Sequence, residues 1–136
     1  MTNDHHPGEL NALAASINAN ARVHGFWDEP RNMGEMLMLM VSELAEALEE
    51  HRDGKPVVYY RHVPGCPVAD HNVFGMEGEA LACACVPKPE GEASELVDCI
   101  IRCLDTLHSL GVDIDSLVAD KMHYNAGRPY KHGRAY

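Results

Sequence analysis

The sequence predicts an all-α protein, a bundle of four to five helices with a long irregular or hairpin-containing segment between the second and third helices. Four stretches of the 136 residues carry apolar side chains at spacings of three and four, which is the period of an amphipathic helix. Clusters of Gly, Pro and Asp separate these stretches and mark their ends. The length suits one domain with its own core, so we predict a single domain over residues 1–136.

The first helix is predicted over residues 9–24, where Leu10, Leu13 and Ile17 form an apolar stripe. A turn follows it and ends at Pro30, which blocks continuation because proline interrupts the helical hydrogen-bond ladder.

The second helix is predicted over residues 33–52. Asn32 is placed to cap it, and Glu35 is placed to return the bond as in a capping box. Its first half is apolar on nearly all sides, so most of its surface must be covered. This pattern favours a helix inside a bundle or at a subunit interface.

Residues 54–90 differ from the rest of the chain. They contain five of the eight prolines and the β-prone fragment Val57–Tyr60. We expect an ordered loop here, with a hairpin, and not a second domain. Loops of this length in compact domains are usually functional or mobile.

The third helix is predicted over residues 92–110 and the fourth from Asp113 or Asp115 to about residue 125. An apolar stripe runs along the third, and Gly111 ends it. Either aspartate suits the start of the fourth, because a short acidic side chain caps the free N–H groups of a helix.

Composition excludes several classes of function. There are 11 Lys and Arg against 21 Asp and Glu, a formal charge of −10, which argues against binding to nucleic acid or to an anionic membrane. The apolar run Met36–Val41 is far shorter than the roughly 20 residues that span a bilayer. The five cysteines are irregularly spaced and predict reduced thiols. We therefore expect a cytoplasmic protein without nucleic-acid or membrane partners.

Two pairs of acidic residues carry the predicted chemistry. Glu43 and Glu46 share one face of the second helix, and Glu95 and Asp98 repeat the spacing on the third. Four facing carboxylates repel one another unless a cation or protons compensate them. Such oxygen ligands suit Mg²⁺, with Mn²⁺ as an alternative, in sites that usually share the ion with phosphates. A solvated acidic face is the alternative, but apolar neighbours surround both pairs.

The last sixteen residues hold the basic side chains Lys121, Arg128, Lys131 and Arg134 and no acid.

Four segments in this order resemble one known family. Residues 42–50 and 95–98 resemble the Glu-x-x-Glu and Glu-x-x-Asp signature of the MazG-like all-α nucleotide pyrophosphohydrolases. The resemblance also includes residues 25–31 before the second helix and residues 121–133 near the end. It covers roughly residues 20–53 and 90–133.

The resemblance implies Mg²⁺-dependent hydrolysis of a (deoxy)nucleoside triphosphate to the monophosphate and pyrophosphate, which cleans the nucleotide pool. It implies homodimers or homotetramers whose sites lie near subunit interfaces. The matched positions imply four metal ligands, three phosphate contacts and one aromatic surface for the base or sugar: Glu43, Glu46, Glu95 and Asp98; Lys121, Asn125 and Arg128; and Trp27.

Several alternatives stay open within this family. Either Glu46 or Glu50 is a candidate general base, since they lie one turn apart on the same face. Trp27 also suits a core or interface aromatic, and Lys121 a solvated lysine near a helix end. Many relatives carry Glu where Ser42 stands. This departure motivates the alternative of a non-catalytic helical module that binds a nucleotide or a protein.

The 54–90 segment also contains nitrogen and sulfur side chains of the types that bind zinc: His62, His71, Cys66, Cys83 and Cys85. Their spacing matches no standard zinc motif, because Cys83 and Cys85 are separated by one residue and not by two. The spacing therefore favours incidental loop residues over a zinc site.

Overall fold

The computed structural model describes residues 8–72 and 84–130, which are mostly helical with one small sheet. In chain order the elements are α1 (Glu9–Val23), α2 (Met33–Arg52), β1 (Tyr59–Arg61), β2 (Lys88–Glu90), α3 (Glu92–Ser109) and α4 (Ile114–Ala126). The four predicted helices are confirmed, and their ends differ from the predicted ones by one residue at most.

Side-chain caps explain two of these boundaries. The Asn32 carboxamide oxygen accepts hydrogen bonds from the backbone N–H groups of Gly34 at 2.7 Å and Glu35 at 3.3 Å. Asp113 accepts from the Ser116 N–H at 3.2 Å and so begins α4. The return bond predicted for Glu35 is not formed within the described ranges, and the Glu35 side chain is exposed to water.

The chain forms two compact units: residues 1–30 with 103–136, and residues 31–102. The single domain expected from the length stays a prediction. No helix of the described ranges is both long and apolar enough to cross a membrane.

In the first unit, α1 and α4 cap each other at their N-terminal ends. Gly8 precedes α1 and offers no side-chain cap. The Asp115 carboxylate accepts instead from the N–H groups of Leu10 at 3.2 Å and Asn11 at 2.9 Å. Asn11 in turn accepts from the Ile114 N–H at 2.8 Å. These bonds satisfy backbone donors that a helix start leaves free, and they fix the two helix starts together.

The core of the first unit lies beneath this junction. Ala14, Leu104 and Ile114 are buried at its centre. Partly buried apolar side chains surround them: Leu10, Ile17, Leu107, Val112 and Val118.

In the second unit, β1 and β2 pair antiparallel, with Tyr59 opposite Glu90 and Arg61 opposite Lys88. Gly91 joins β2 to α3 with a positive φ of 102°. A Cβ atom at this position would lie 2.6 Å from the backbone oxygen of Val57. Both the backbone conformation and the close approach therefore require glycine here.

Helix α2 in the second unit has two distinct faces. Met36, Glu43 and Ala47 are buried on one face. A second stripe at spacings of four, three and four is exposed and apolar; it consists of Leu37, Val41, Leu44 and Leu48, and we call it the outer α2 stripe. Glu43 therefore belongs to the covered side of a helix whose other side presents leucine and valine to solvent.

Candidate metal centre

Three of the four predicted metal ligands form one cluster in the second unit. Glu43 of α2 and Glu95 and Asp98 of α3 each contribute a carboxylate oxygen, and these atoms all lie within 4.8 Å of one another. The spacing of Glu95 and Asp98 explains their part of the arrangement, because residues three apart share a helix face. We call these three residues the carboxylate cluster.

The cluster is strongly desolvated on one side. Glu43 is 6% exposed and Glu95 is 7% exposed, whereas Asp98 is the exposed member. Burial, followed by the negative charges of Glu46, Asp98 and Glu43, raises the pKa of Glu95 to about 7. Loss of hydration and then the charge of Glu43 raise the pKa of Asp98 as well. The site therefore holds more negative charge than its surroundings compensate.

Arg102 is a cation at this site that the sequence analysis did not predict. Its Nε donates to Glu43 Oε1 at 2.6 Å, and its charge opposes the rise in the pKa of Asp98. The charge of Lys88 also lowers the pKa values of Glu95 and Asp98, but both values stay raised, so the ionised cluster remains incompletely compensated. The sequence contains a signal for this position, because residue 102 lies seven positions after Glu95 and four after Asp98. These spacings place Arg102 on the same face of α3 as the two acids.

Glu46 lies close to the cluster but outside the three-oxygen set. Its side chain is exposed, and it is the first of the charges that raise the pKa of Glu95. Glu50 Oε2 accepts a hydrogen bond from the Tyr59 hydroxyl at 3.2 Å. Burial, and then this bond, raise the pKa of Tyr59. The roles of Glu46 as a ligand and of Glu46 or Glu50 as a base stay predictions.

Ser42 is the residue at which the sequence departs from the MazG-like pattern that it resembles. Its hydroxyl donates to the Leu39 carbonyl at 2.7 Å, within its own helix. The side chain is thus engaged with the α2 backbone, a common arrangement for a serine inside a helix. The carboxylate cluster forms without it.

Trp27 belongs to the first unit and contacts a buried carboxylate. Its indole Nε1 donates to both carboxylate oxygens of Asp105 at 3.1 Å. Asn18 donates to the same group at 2.7 Å, and the Arg22 guanidinium lies 5.6 Å from the centre of the indole ring. The Asp105 charge is therefore solvated by side-chain donors, as a buried charge must be. Trp27 thus acts as a hydrogen-bond donor to a buried carboxylate, whereas base stacking stays a prediction.

The three predicted phosphate contacts also belong to the first unit. Lys121 and Asn125 lie one turn apart on α4, and Arg128 follows the helix end; all three are exposed. The Arg128 guanidinium lies 6.0 Å from the Tyr124 ring. A surface pocket is lined by His123, Tyr124, Gly127, Arg128 and Pro129. Arg128 thus borders a surface pocket, and its role as a phosphate contact stays a prediction.

Comparison with known proteins adds no family assignment. No family model, no curated protein and no solved structure matches this chain.

Proposed function

We propose that this chain is a Mg²⁺-dependent hydrolase that cleaves a (deoxy)nucleoside triphosphate into the monophosphate and pyrophosphate. We propose that it works in the cytoplasm as a homo-oligomer of MazG-like helical bundles, in which residues 54–90 form an insertion. The observation that carries the proposal is the carboxylate cluster, whose three oxygens lie within 4.8 Å of one another at a half-exposed site. The order of the four segments in the sequence supports it.

The side chains of the cluster fit Mg²⁺ by their chemistry. Their donors are carboxylate oxygens, which Mg²⁺ and Mn²⁺ prefer over nitrogen or sulfur. The raised pKa values of Glu95 and Asp98 indicate that Arg102 and Lys88 compensate the negative charge of the ionised cluster only in part. When bound, the ion would neutralise phosphate charge and act as a Lewis acid.

The protein residues then have separate tasks. Arg102 orients the Glu43 carboxylate through its 2.6 Å bond, and Glu43, Glu95 and Asp98 would together hold the ion. Glu46 is the better candidate base of the two, because it is exposed beside the cluster, whereas Glu50 already accepts the Tyr59 hydroxyl. A proton from the attacking water would pass to a Glu46 carboxylate oxygen.

The basic residues near the end of the chain complete the proposal. Lys121, Asn125 and Arg128 carry exposed hydrogen-bond donors. A phosphate group can therefore reach them from solvent without any movement of buried side chains. Donors of this kind stabilise the charge that develops on a departing pyrophosphate.

The outer α2 stripe supports the proposed oligomer. Leu37, Val41, Leu44 and Leu48 are each about half exposed, at 52%, 50%, 48% and 46%. On α3 the exposed large apolar residues include Leu96, Val97 and Ile100. Contiguous apolar surface of this kind is typical of subunit interfaces. A second copy of the same chain would cover it with an equivalent stripe.

One assay tests the proposed reaction. The purified chain is incubated with Mg²⁺ and a panel of canonical and modified triphosphates, and the released phosphate species are identified. We expect pyrophosphate and the monophosphate; Asp98→Asn and Glu46→Gln should lose turnover while keeping their helicity. Glu49→Gln, an exposed acid of α2 outside the cluster, is the matched control and should keep turnover.

Release of orthophosphate alone would indicate another reaction. Magnesium-dependent nucleotide binding without turnover would favour the non-catalytic module.

A second experiment tests the oligomer. Leu44→Lys places a charge in the middle of the outer α2 stripe, and light scattering after gel filtration should show a smaller species than the wild type. Val23→Lys is the control, because Val23 is 82% exposed on α1 and lies outside the stripe. A wild-type chain that is monomeric at micromolar concentration would contradict the proposed assembly.

A further inference from the structure

A second set of potential metal ligands belongs to the segment that connects α2 to α3 in the sequence. None of its residues is part of the carboxylate cluster. His62 Nδ1 lies 3.1 Å from Cys85 Sγ and 3.5 Å from Cys66 Sγ, and the two sulfurs are 3.5 Å apart. Cys83, another candidate from the sequence, lies outside the described residues. Three side chains that are distant in the sequence thus bring one nitrogen and two sulfurs to a common point.

Backbone pairing explains how these residues meet. Tyr60 in β1 exchanges both backbone hydrogen bonds with His71, at 2.6 Å and 3.1 Å, and so closes the loop that contains Cys66. Within the loop, the Cys66 N–H donates to the Val63 carbonyl at 3.0 Å in a turn. Cys85 comes just before β2, which pairs with the other edge of β1. The ligand atoms therefore converge because β1 has a neighbour on both sides.

The distances agree with a tetrahedral zinc site. Bonds of about 2.3 Å to sulfur and about 2.05 Å to nitrogen place two sulfurs about 3.8 Å apart and a sulfur and a nitrogen about 3.6 Å apart. The observed separations of 3.5, 3.5 and 3.1 Å are within half an ångström of these values. A disulfide between the two cysteines would require about 2.05 Å, so the pair is in the thiol form.

Hydrogen bonding among neutral groups accounts for the set less well. A chain of hydrogen bonds from the Cys66 thiol to Cys85 Sγ and from the Cys85 thiol to His62 Nδ1 uses two of the three short contacts and leaves the third, between Cys66 Sγ and Nδ1, without a bond of its own. Both sulfurs nevertheless lie within 3.5 Å of His62 Nδ1. A single cation at the centre would bind the nitrogen and both sulfurs at once.

His71 lies beside this set. Its ring centre is 5.3 Å from that of His62, and two imidazoles on one tetrahedral zinc have ring centres about 5 Å apart. Its Nδ1 is buried and has no hydrogen-bond partner among residues 8–72 and 84–130. The His71 nitrogens are not in the three-atom set, so the ring would rotate toward it on binding.

We propose that His62, Cys66 and Cys85 bind one structural Zn²⁺ ion, with His71 as the fourth ligand. A site closed by four protein ligands is typical of structural zinc. The segment needs such support, because Tyr59 and Val68 are its buried apolar residues within the described ranges. A core of this size stabilises little by itself, and bound zinc contributes directly to folding.

The metal content of the full-length chain tests this site. The protein is purified under reducing conditions without chelator, and zinc is measured by atomic emission. We expect one zinc per chain in the wild type and its loss in Cys66→Ser and Cys85→Ser. Cys99→Ser is the matched control, since Cys99 is another free, partly buried thiol of the second unit and should keep its zinc. A wild-type chain without zinc would overturn the proposal, as would a disulfide between Cys66 and Cys85 under these conditions.

Cobalt titration keeps the test independent of how the variants fold. Metal-free wild-type chain titrated with Co²⁺ should develop the thiolate-to-cobalt absorption and the visible bands of a tetrahedral site, which one equivalent of Zn²⁺ removes. Octahedral bands without thiolate absorption would overturn the proposal. His71→Ala should lower zinc affinity about tenfold or more; unchanged affinity would exclude His71 as the fourth ligand. Neither measurement depends on triphosphate hydrolysis.

Discussion

Replacing Glu95 with Gln should stabilise the metal-free protein and abolish its response to Mg²⁺. Glu95 is 7% exposed, and burial with three neighbouring carboxylates raises its pKa to about 7. Ionising this group in the folded state, without a cation, therefore costs free energy. Glutamine has nearly the same shape and carries no charge, so the substitution removes that cost.

The size of the effect follows from the pKa difference. A change from 4.5 to about 7 corresponds to an upper limit of about 3.5 kcal/mol, at about 1.4 kcal/mol for each pH unit. Since the unfolded chain ionises this group at the lower value, the folded state binds more protons between the two. The free energy of unfolding of the metal-free wild type should thus fall as pH rises from about 4.5 to about 7. At about pH 8, Glu95→Gln should exceed the wild type by about 1–3 kcal/mol.

Urea unfolding followed by circular dichroism measures both effects. The wild type and Glu95→Gln are unfolded at about pH 5 and about pH 8, each with chelator and with excess Mg²⁺. Mg²⁺ should stabilise the wild type at the higher pH, because a ligand that binds only the folded state adds to its stability. Glu49→Gln should behave as the wild type, since Glu49 is exposed and outside the cluster. A metal-free Glu95→Gln protein less stable than the wild type at about pH 8 would refute the reasoning.

Three further substitutions test the contacts that build the two units, each measured as a change in the free energy of urea unfolding. Asp115→Ala removes the acceptor for two N–H groups at the start of α1 and should cost about 1–3 kcal/mol, whereas Asp115→Asn should cost less. Gly91→Ala places a Cβ 2.6 Å from the Val57 oxygen at a φ of 102°, so it should cost more than 1 kcal/mol, the usual order for backbone strain. Trp27→Phe keeps an aromatic ring but removes a donor to the buried Asp105, with an expected loss of about 1–3 kcal/mol. An unchanged stability in any of the three would contradict the contact concerned.

The helices were predictable because their signals are local. Apolar spacing, the Asn32 cap and the Gly111 end together determine where a helix begins and ends, so the bounds agree within one residue. The carboxylate cluster was predictable in part for the same reason. Glu95 and Asp98 meet through helical spacing alone, and only their meeting with Glu43 depends on tertiary structure.

Contacts between distant segments carried no comparable signal. The pairing of β1 with β2 joins three-residue strands about thirty positions apart, and nothing in their sequences specifies the partner. The bonds of Asp105 to Trp27 and Asn18 have the same character, because each residue is unremarkable in its own segment. The meeting of His62 with Cys85 was likewise hidden, since the spacing of zinc ligands is a guide only where the loop between them has a standard length.

Helix α2 carries a buried acid on one face and exposed leucine and valine side chains on the other. Glu43 lies among buried residues, where its charge is compensated by Arg102 within the same chain. Leu44 is its neighbour in sequence, but the helical rotation of about 100° per residue places it on the outer stripe, 48% exposed. The buried acids lower the stability of a single metal-free chain, and the outer stripe buries little apolar surface to offset this cost. Metal binding and self-association would each remove one of these two deficits, so both proposals arise from the distribution of acidic and apolar residues on α2 and α3.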